Sequence, residues 1–285
     1  MTTDTFTIGG DLTVHRVGFG AMRLTGPDTY GMPADPEAAK KVVQRAVELG
    51  VDFIDTADQY GPFTSEQIVA DALHPRSDDV IVATKGGLVR YGPNPALKND
   101  ATPQHLREAL EGSLRRLKTE RIDLYQLHRI DPDIPVEATF TFLRQAQDEG
   151  KVRHLGLSEV TVEEIEKAQE FFDVTSVQNR YSIGDRAAEP VLEYCRAQGI
   201  AFIPWFPIGG GDMGGHDALS DVSAAHGAGI RQVALAWLLH HADNILLIPG
   251  TSSVSHLEEN MTARDLDLTA EQMQALDALS PAPLG

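Results

Sequence analysis

The chain has 285 residues, a length that fits either two ordinary domains or one large α/β barrel. It carries 24 Lys and Arg against 42 Asp and Glu, and the resulting net charge of −18 opposes binding to nucleic acid or to an anionic membrane. Its single cysteine, Cys195, excludes an intramolecular disulfide and a thiolate-rich metal site, and its neighbours indicate a buried structural thiol.

No targeting or membrane segment is apparent in the sequence. The first residues, MTTDTFTIGG, lack the basic and apolar regions of a signal peptide, and no apolar run approaches the length of a membrane span. We therefore expect a soluble cytoplasmic protein with no nucleic-acid partner, no membrane partner and no bound metal. We expect a monomer or a weak homo-oligomer.

Short apolar runs alternate with helix-like stretches along the chain, which is typical of parallel βα units. Ahead of them, TFTIGGDLTVHRV predicts a β-hairpin that turns at Gly9, Gly10 and Asp11. The predicted strands, in chain order, are 17–20, 51–57, 80–85, 122–128, 153–158, 175–181, 201–207 and 244–250. The clearest predicted helices between them are 35–50, 102–118, 161–172 and 230–241, and Gly50, Gly150 and Gly199 are expected to end helices in the left-handed conformation.

Eight such units can close into a (β/α)8 barrel or lie open as a doubly wound sheet, and the strand count favours the barrel. The hairpin is then placed to close the barrel floor, and residues 268–279 predict one further helix at the C-terminal end. No linker or low-complexity tract divides the chain. We therefore expect residues 1–285 to form a single α/β domain, a (β/α)8 TIM barrel with an N-terminal β-hairpin and a C-terminal extra helix.

Polar residues stand where three successive strands end. Asp55 ends the second strand and Tyr60 follows it, Lys85 ends the third strand, and His128 ends the fourth. Each of these alone is more often a loop cap, a turn residue or a structural histidine. Together they lie on one rim, and in a barrel that rim carries the catalytic groups. Asp58, between Asp55 and Tyr60, is expected to be a solvated loop charge.

The four residues suit the protonation of a carbonyl oxygen. A nearby ammonium on Lys85 would lower the pKa of the Tyr60 phenol, Asp55 would hold that ammonium, and His128 would orient the carbonyl. No side chain supplies hydride, so a nicotinamide cofactor is implied. Its phosphates are expected near the loops after strands seven and eight, 207–215 and 248–260. The pattern G-x-G-x-x-G at 209–214 is interpreted as a glycine-rich loop and not as a Rossmann fingerprint.

The motifs GFGAMRL, DTADQYG, ATKGG, LYQLH, GLSE, SVQNRYS and IPGTSS with HLEEN resemble those of the aldo-keto reductase superfamily, over nearly the whole chain. The C-terminal part is most similar to bacterial pyridoxal reductases. The resemblance implies a barrel that binds NADPH without a Rossmann domain, with a catalytic tetrad of Asp55, Tyr60 as general acid, Lys85 and His128. It also implies that Ser158 and Gln178 contact the nicotinamide carboxamide and that Trp205 stacks on the nicotinamide ring. The pyrophosphate would contact Phe206, Ile208 and Gly210, and the adenine would contact Glu259 and Asn260. Met22 and Pro207 are expected at the cofactor as well.

The sequence departs from the family pattern at two places. Glu159 stands where the family usually has Asn, which leaves one carboxamide contact open. Gly250 and His256 stand where many members have the Lys and the Arg that bind the 2′-phosphate. The groups left for that phosphate belong to Thr251, Ser252, Ser253 and His256, and we expect NADPH rather than NADH as the cofactor.

The resemblance predicts a reductase of aldehydes or ketones, with pyridoxal as one candidate for its small-molecule carbonyl substrate. Tyr30, Gly86, Gly87, Arg129 and residues 88–100 are expected nearest that substrate. Arg129 could bind an anionic substrate group or form a surface salt bridge.

The alternative is a cofactor-binding regulatory or redox-sensing subunit with little turnover, of the potassium-channel β-subunit type, and the intact tetrad argues against it. A short-chain dehydrogenase needs a Tyr-x-x-x-Lys pair, which the chain lacks. A zinc alcohol dehydrogenase is equally disfavoured by the single cysteine and the absence of H-E-x-x-H.

Overall fold

Parallel strands arranged around a ring dominate the structure, a computed structural model that describes residues 4–75, 79–92, 97–208 and 217–279. The described strands are β1 Thr5–Ile8, β2 Leu12–His15, β3 Phe19–Gly20, β4 Phe53–Asp55, β5 Ile81–Gly86, β6 Leu88–Arg90, β7 Leu97–Asn99, β8 Ile122–Leu127, β9 Val152–Ser158, β10 Val174–Gln178 and β11 Ala201–Phe202. Seven of them form one parallel sheet in the order β3, β4, β5, β8, β9, β10, β11.

The eighth predicted strand closes the ring through isolated bridges and not through a regular ladder. Ile245 bridges to Phe202 of β11, while Leu247 and Gly250 bridge to the segment that contains β3. Backbone hydrogen bonds support this closure, including the one from Gly18 N to Leu247 O at 2.8 Å. The fold is therefore the predicted (β/α)8 barrel, although the first, second, fourth, sixth and seventh strands are shorter than predicted.

Helices cover the outside of the barrel. They are α1 Pro36–Glu48, α2 Thr64–Ala72, α3 Pro103–Arg116, α4 Val136–Asp148, α5 Val162–Gln169, α6 Glu189–Gln198, α7 Asp217–His226, α8 Ile230–His241, α9 Val254–Met261 and α10 Ala270–Asp277. The last of these is the predicted extra helix, and Thr269 begins it with a capping box. The predicted helix-ending glycines Gly50, Gly150 and Gly199 all have positive φ, at 89°, 74° and 69°. None of the described helices is both long and apolar enough to span a membrane.

The predicted hairpin, β1 with β2, closes the floor of the barrel. Its side chains Ile8, Leu12 and Val14 are buried in one apolar cluster with residues of the strands that point inward. The turn is fastened to the start of β9, where Asp11 contacts Arg153 at 2.9 Å and His154 at 2.6 Å. Because this end of the barrel is filled, a ligand can approach the strands only from the opposite rim.

The fold confirms one further sequence prediction, the buried structural cysteine. Cys195 is fully buried, and burial raises the pKa of its thiol to about 12, as expected of a structural cysteine. The segment 88–100 contains an antiparallel pair, β6 with β7, that was not predicted. The glycine-rich loop with Gly209, Gly211 and Gly214 lies outside the described residues.

Candidate active site

A buried ion pair forms the centre of the candidate site. Asp55 ends β4 and Lys85 lies in the neighbouring parallel strand β5. The Lys85 ammonium donates to the two carboxylate oxygens of Asp55 at 2.8 and 2.7 Å and to the Thr56 carbonyl oxygen at 2.8 Å. The Tyr60 hydroxyl lies 3.4 Å from the same ammonium. The predicted trio is thus assembled around one cation, and each buried charge has a partner.

Two glutamines complete the surroundings of Asp55. The Gln178 side-chain amide donates to Asp55 Oδ1 at 2.9 Å, and the Gln126 amide lies 3.4 Å from the same oxygen. Gln126 was not predicted as a site residue. A usable signal was present, since it lies two positions before His128 and alternate residues of a strand point to the same face.

The loop between β4 and α2 places Tyr60 over Lys85. Gly61 has φ of 91°, and a Cβ there would lie 2.5 Å from the Thr64 side chain, so glycine is needed for the turn. Ser65 N donates to the Tyr60 carbonyl oxygen at 3.1 Å, which ties the loop to the start of α2. The Tyr60 and His128 rings meet edge to face with centroids 6.0 Å apart. All four predicted catalytic residues therefore lie together at the rim.

Burial sets the protonation state of Tyr60 at the rim. It raises the pKa of Tyr60 above its ordinary value. The Lys85 ammonium lowers that pKa, as predicted, but desolvation outweighs this effect, which the sequence did not predict. Burial lowers the pKa of His128 well below its ordinary value, so its imidazole is neutral near pH 7. Burial likewise lowers the pKa of Lys85, but Asp55 and Tyr60 more than offset this, and the ammonium is retained.

Asp58 is not the solvated loop charge that was expected. Its side chain is buried, and its Oδ1 has no hydrogen-bond partner among the described residues. Burial and the nearby Glu66 carboxylate raise the pKa of Asp58 to about 8. The expectation failed because α3, which is distant in sequence, covers the loop: the Arg116 guanidinium lies 4.3 Å from the centroid of the Phe63 ring and binds Glu66 of α2 at 2.6 Å.

A cavity of about 970 Å³ opens above these residues, at the upper end of the size range of ligand pockets. The residues lining it that were predicted for the catalytic or cofactor set are Met22, Asp55, Tyr60, His128, Ser158, Gln178, Trp205, Phe206, Pro207, Ile208 and Gly250. Of the predicted substrate residues, Arg129, Leu88 and Leu97 also line it. The arginines Arg23 and Arg231 line it and were not predicted. Arg23 directly follows Met22 in the chain, whereas only the fold brings Arg231 to the cavity.

Several predicted residues do not line the cavity. The lining does not include Tyr30, Gly86 or Gly87, nor the residues expected at the adenine and the 2′-phosphate, namely Thr251, Ser252, Ser253, His256, Glu259 and Asn260. These last lie at or in α9, where the Ser253 hydroxyl accepts from His256 N as the helix cap. Gly210 lies outside the described residues.

Glu159, the departure from the family pattern, makes a defined contact. Its Oε1 accepts from the Trp205 indole at 2.5 Å and from the Arg180 backbone N at 2.6 Å. Its φ of 56° lies in the left-handed region, which places the side chain where β9 ends. The carboxylate therefore fixes the orientation of the aromatic residue that lines the cavity.

The comparisons with known proteins fit this geometry. Residues 16–281 match the Aldo/keto reductase family. The chain belongs to this family, and it is an oxidoreductase. It is 42% identical to the pyridoxine 4-dehydrogenase of Escherichia coli, over 98% of this chain and 99% of that protein. It is 46% identical to an uncharacterized oxidoreductase of Schizosaccharomyces pombe, over 94% of this chain and 87% of that protein.

A solved structure shows the same architecture. The aldo/keto reductase of Klebsiella pneumoniae, crystallised with NADP and acetate, superposes with a TM-score of 0.84 at 26% identity. The match covers 99% of this chain and 96% of that chain. The family assignment thus rests on both sequence and fold.

Proposed function

We propose that this protein is an NADPH-dependent reductase of aldehydes or ketones in which Tyr60 donates the proton. The observation that carries this proposal is the Lys85 ammonium, held between the Asp55 carboxylate and the Tyr60 hydroxyl at the foot of an open cavity. Nicotinamide cofactors supply hydride, and the cavity offers them an aromatic face at Trp205 and polar groups at Ser158 and Gln178. Its arginines, Arg23 and Arg231 among them, suit the phosphates of a dinucleotide.

The residues of the chain account for the proton transfer. The pKa of Tyr60 lies above its ordinary value, so the phenol carries its proton at neutral pH and can donate it to the carbonyl oxygen. The phenolate that remains is stabilised by the Lys85 ammonium 3.4 Å away. Asp55 keeps that ammonium in place, and the neutral His128 imidazole beside the Tyr60 ring can donate a hydrogen bond to the same carbonyl oxygen.

Tyr60→Phe tests the assignment of the proton donor. We expect kcat for NADPH-dependent reduction of a reactive aldehyde to fall by about 100-fold or more, because general acid catalysis contributes at least that factor. The dissociation constant for NADPH, measured by fluorescence titration, should stay near the wild-type value. Tyr194→Phe, which removes a hydroxyl bound to Gln169 on the outer face of α6, is the matched control. Full activity in Tyr60→Phe would exclude Tyr60 as the proton donor.

The cofactor preference needs its own measurement, because the expected 2′-phosphate residues do not line the cavity. Dissociation constants for NADPH and NADH under identical salt should favour NADPH, and tighter binding of NADH would contradict the proposal. The same preparation separates an enzyme from a regulatory subunit. Binding of NADPH without its oxidation by any of a broad panel of aldehydes, pyridoxal included, would favour the regulatory alternative.

A further inference from the structure

The cavity is positively charged although the protein is strongly acidic. The chain has a net charge of −18, yet among the described residues that line the cavity the ionisable ones, apart from Tyr60 and His128, are Arg23, Arg129, Arg231 and one acid, Asp55. That acid is neutralised by Lys85. A cleft lined by charges of one sign concentrates ligands of the opposite sign. The cavity therefore favours anionic ligands, and its arginines can bind different anionic groups.

Arg129 is adjacent to one of the reacting groups in the chain, and its charge acts on two of them. It directly follows His128, and the two residues line the same cavity. Its charge acts on both Tyr60 and His128, whose pKa values it lowers. The phosphates of a dinucleotide are expected by the loops after the seventh and eighth strands of a barrel. Arg129 follows β8, which is the fourth strand of the ring, so it lies across the barrel from those loops.

The guanidinium of Arg129 is held by uncharged acceptors only. Its Nη1 donates to the His128 carbonyl oxygen at 2.6 Å and to the Ser158 hydroxyl at 3.0 Å. Within the described part of the chain it forms no ion pair, which removes the surface salt bridge as its explanation. The N–H groups on Nε and Nη2 make no hydrogen bond to a described residue. Arginine presents such groups as a fork that binds carboxylate or phosphate through two parallel hydrogen bonds.

The charged groups around Arg129 compensate its charge only in part. Burial lowers the pKa of Arg129, and the Glu159 carboxylate opposes that effect, so the guanidinium stays charged at neutral pH. Glu159 itself is committed elsewhere, to the Trp205 indole and the Arg180 backbone. The other cation nearby, Lys85, is neutralised by Asp55. A partly buried cation that forms no ion pair with a described residue, beside the proposed proton donor, favours a ligand that brings a negative charge.

We propose that Arg129 selects carbonyl substrates that carry a carboxylate or phosphate group. This inference rests on the proposed reductase function and adds the substrate class. The carbonyl oxygen lies at Tyr60 and His128, while the anionic group pairs with Nε and Nη2 of Arg129. Leu88 and Leu97, on β6 and β7, line the same cavity and suit a hydrocarbon or aromatic body between the two ends.

Two matched pairs of substrates test the inference and separate the two anions. Butanal is compared with 4-oxobutanoate for the carboxylate, and pyridoxal with pyridoxal 5′-phosphate for the phosphate. In the wild-type enzyme we expect kcat/KM to be at least about tenfold higher for the anionic member of one or both pairs, as a hydrogen-bonded charge pair provides. In Arg129→Met this preference should disappear, because kcat/KM should fall at least about tenfold more for the anionic member of the pair than for its neutral counterpart.

The controls keep the substrate role apart from effects on cofactor or fold. Arg144→Met, on the outer face of α4, removes an exposed arginine and should leave both pairs unchanged. The NADPH dissociation constant of Arg129→Met should match the wild type. Equal or better turnover of the neutral members by the wild type would overturn the inference, as would an equal loss for both members in Arg129→Met. A wild-type protein that oxidises NADPH with none of the four compounds would instead contradict the proposed function.

Discussion

Asp58→Asn tests whether the buried acid in the loop that carries Tyr60 holds a proton in the folded protein. Asp58 lies in the loop between β4 and α2, and its backbone N donates to the Lys85 carbonyl oxygen at 3.2 Å. Glu66, whose carboxylate acts on Asp58, is itself paired with Arg116 at 2.6 Å, and no cation of the described residues forms an ion pair with Asp58. Burial and Glu66 accordingly raise the pKa of Asp58 to about 8. Asparagine has the shape of the neutral acid and cannot ionise.

The expected magnitude follows from the two pKa values. An ordinary Asp has a pKa of 3.8, and Asp58 in the folded protein has one of about 8. As the pH rises, the unfolded state loses this proton near pH 3.8, whereas the folded state keeps it until about pH 8. The free energy of unfolding therefore falls between these two pH values. Between pH 6 and pH 8 the loss amounts to about 2 kcal/mol. Asp58→Asn should not show this loss. The free energy of unfolding of the variant, relative to that of the wild type, should therefore rise by about 2 kcal/mol between pH 6 and pH 8.

Urea unfolding at pH 6, 7 and 8, followed by circular dichroism, measures this change. Asp71→Asn is the matched control, because Asp71 lies on α2 with an exposed carboxylate paired to Lys118 at 2.8 Å. The control should show no comparable dependence on pH. If the stability difference between Asp58→Asn and the wild type is the same at pH 6 and pH 8, Asp58 is not a buried neutral acid and the reasoning fails.

Two further substitutions test close contacts of the fold. Gly86→Ala would place a Cβ 2.1 Å from the buried Tyr125 hydroxyl, and we expect it to lower the free energy of urea unfolding by about 1–3 kcal/mol. Tyr125→Phe in the same chain should recover part of this loss, since it removes the clashing oxygen. Arg16→Met would leave carbonyl oxygens unpaired, among them those of Leu239 and Ile245, each 3.0 Å from the guanidinium. We expect it to cost about 3 kcal/mol or more, measured by the same urea unfolding, and an unchanged midpoint would contradict the capping role of this arginine.

The fold was predictable because its signals are local. Apolar runs and helix caps such as Thr102 and Thr161 lie within a few residues of the elements they define, and both residues cap the predicted helices. The pair β6 with β7 was missed because its strands span three residues each, too short for a periodic pattern. Barrel closure at 245–250 by isolated bridges is a long-range feature, and sequence periodicity predicts a strand there but not its irregular pairing.

The candidate site was predictable in its positions and not in its protonation. Asp55, Lys85 and His128 each end a strand, and in a barrel all strands of the ring end at one rim. The pKa of Tyr60 depends on how much surrounding chain excludes water, and the burial of Asp58 depends on α3 packing over the loop. Neither quantity has a local sequence signal. The same holds for Arg231, which the fold alone brings to the cavity.

Protonation in turn decides which charge a substrate meets. At neutral pH the Tyr60 phenol, the His128 imidazole and much of Asp58 are uncharged, because burial shifts each pKa toward the neutral form. Lys85 is balanced by Asp55. Among the described residues that line the cavity, Arg129 is then the charge beside Tyr60 that no ion pair balances, and the neutral groups next to it do not screen it. An anionic group on the carbonyl compound is the feature that such a site can recognise most strongly, whereas differences among apolar bodies are distinguished only weakly.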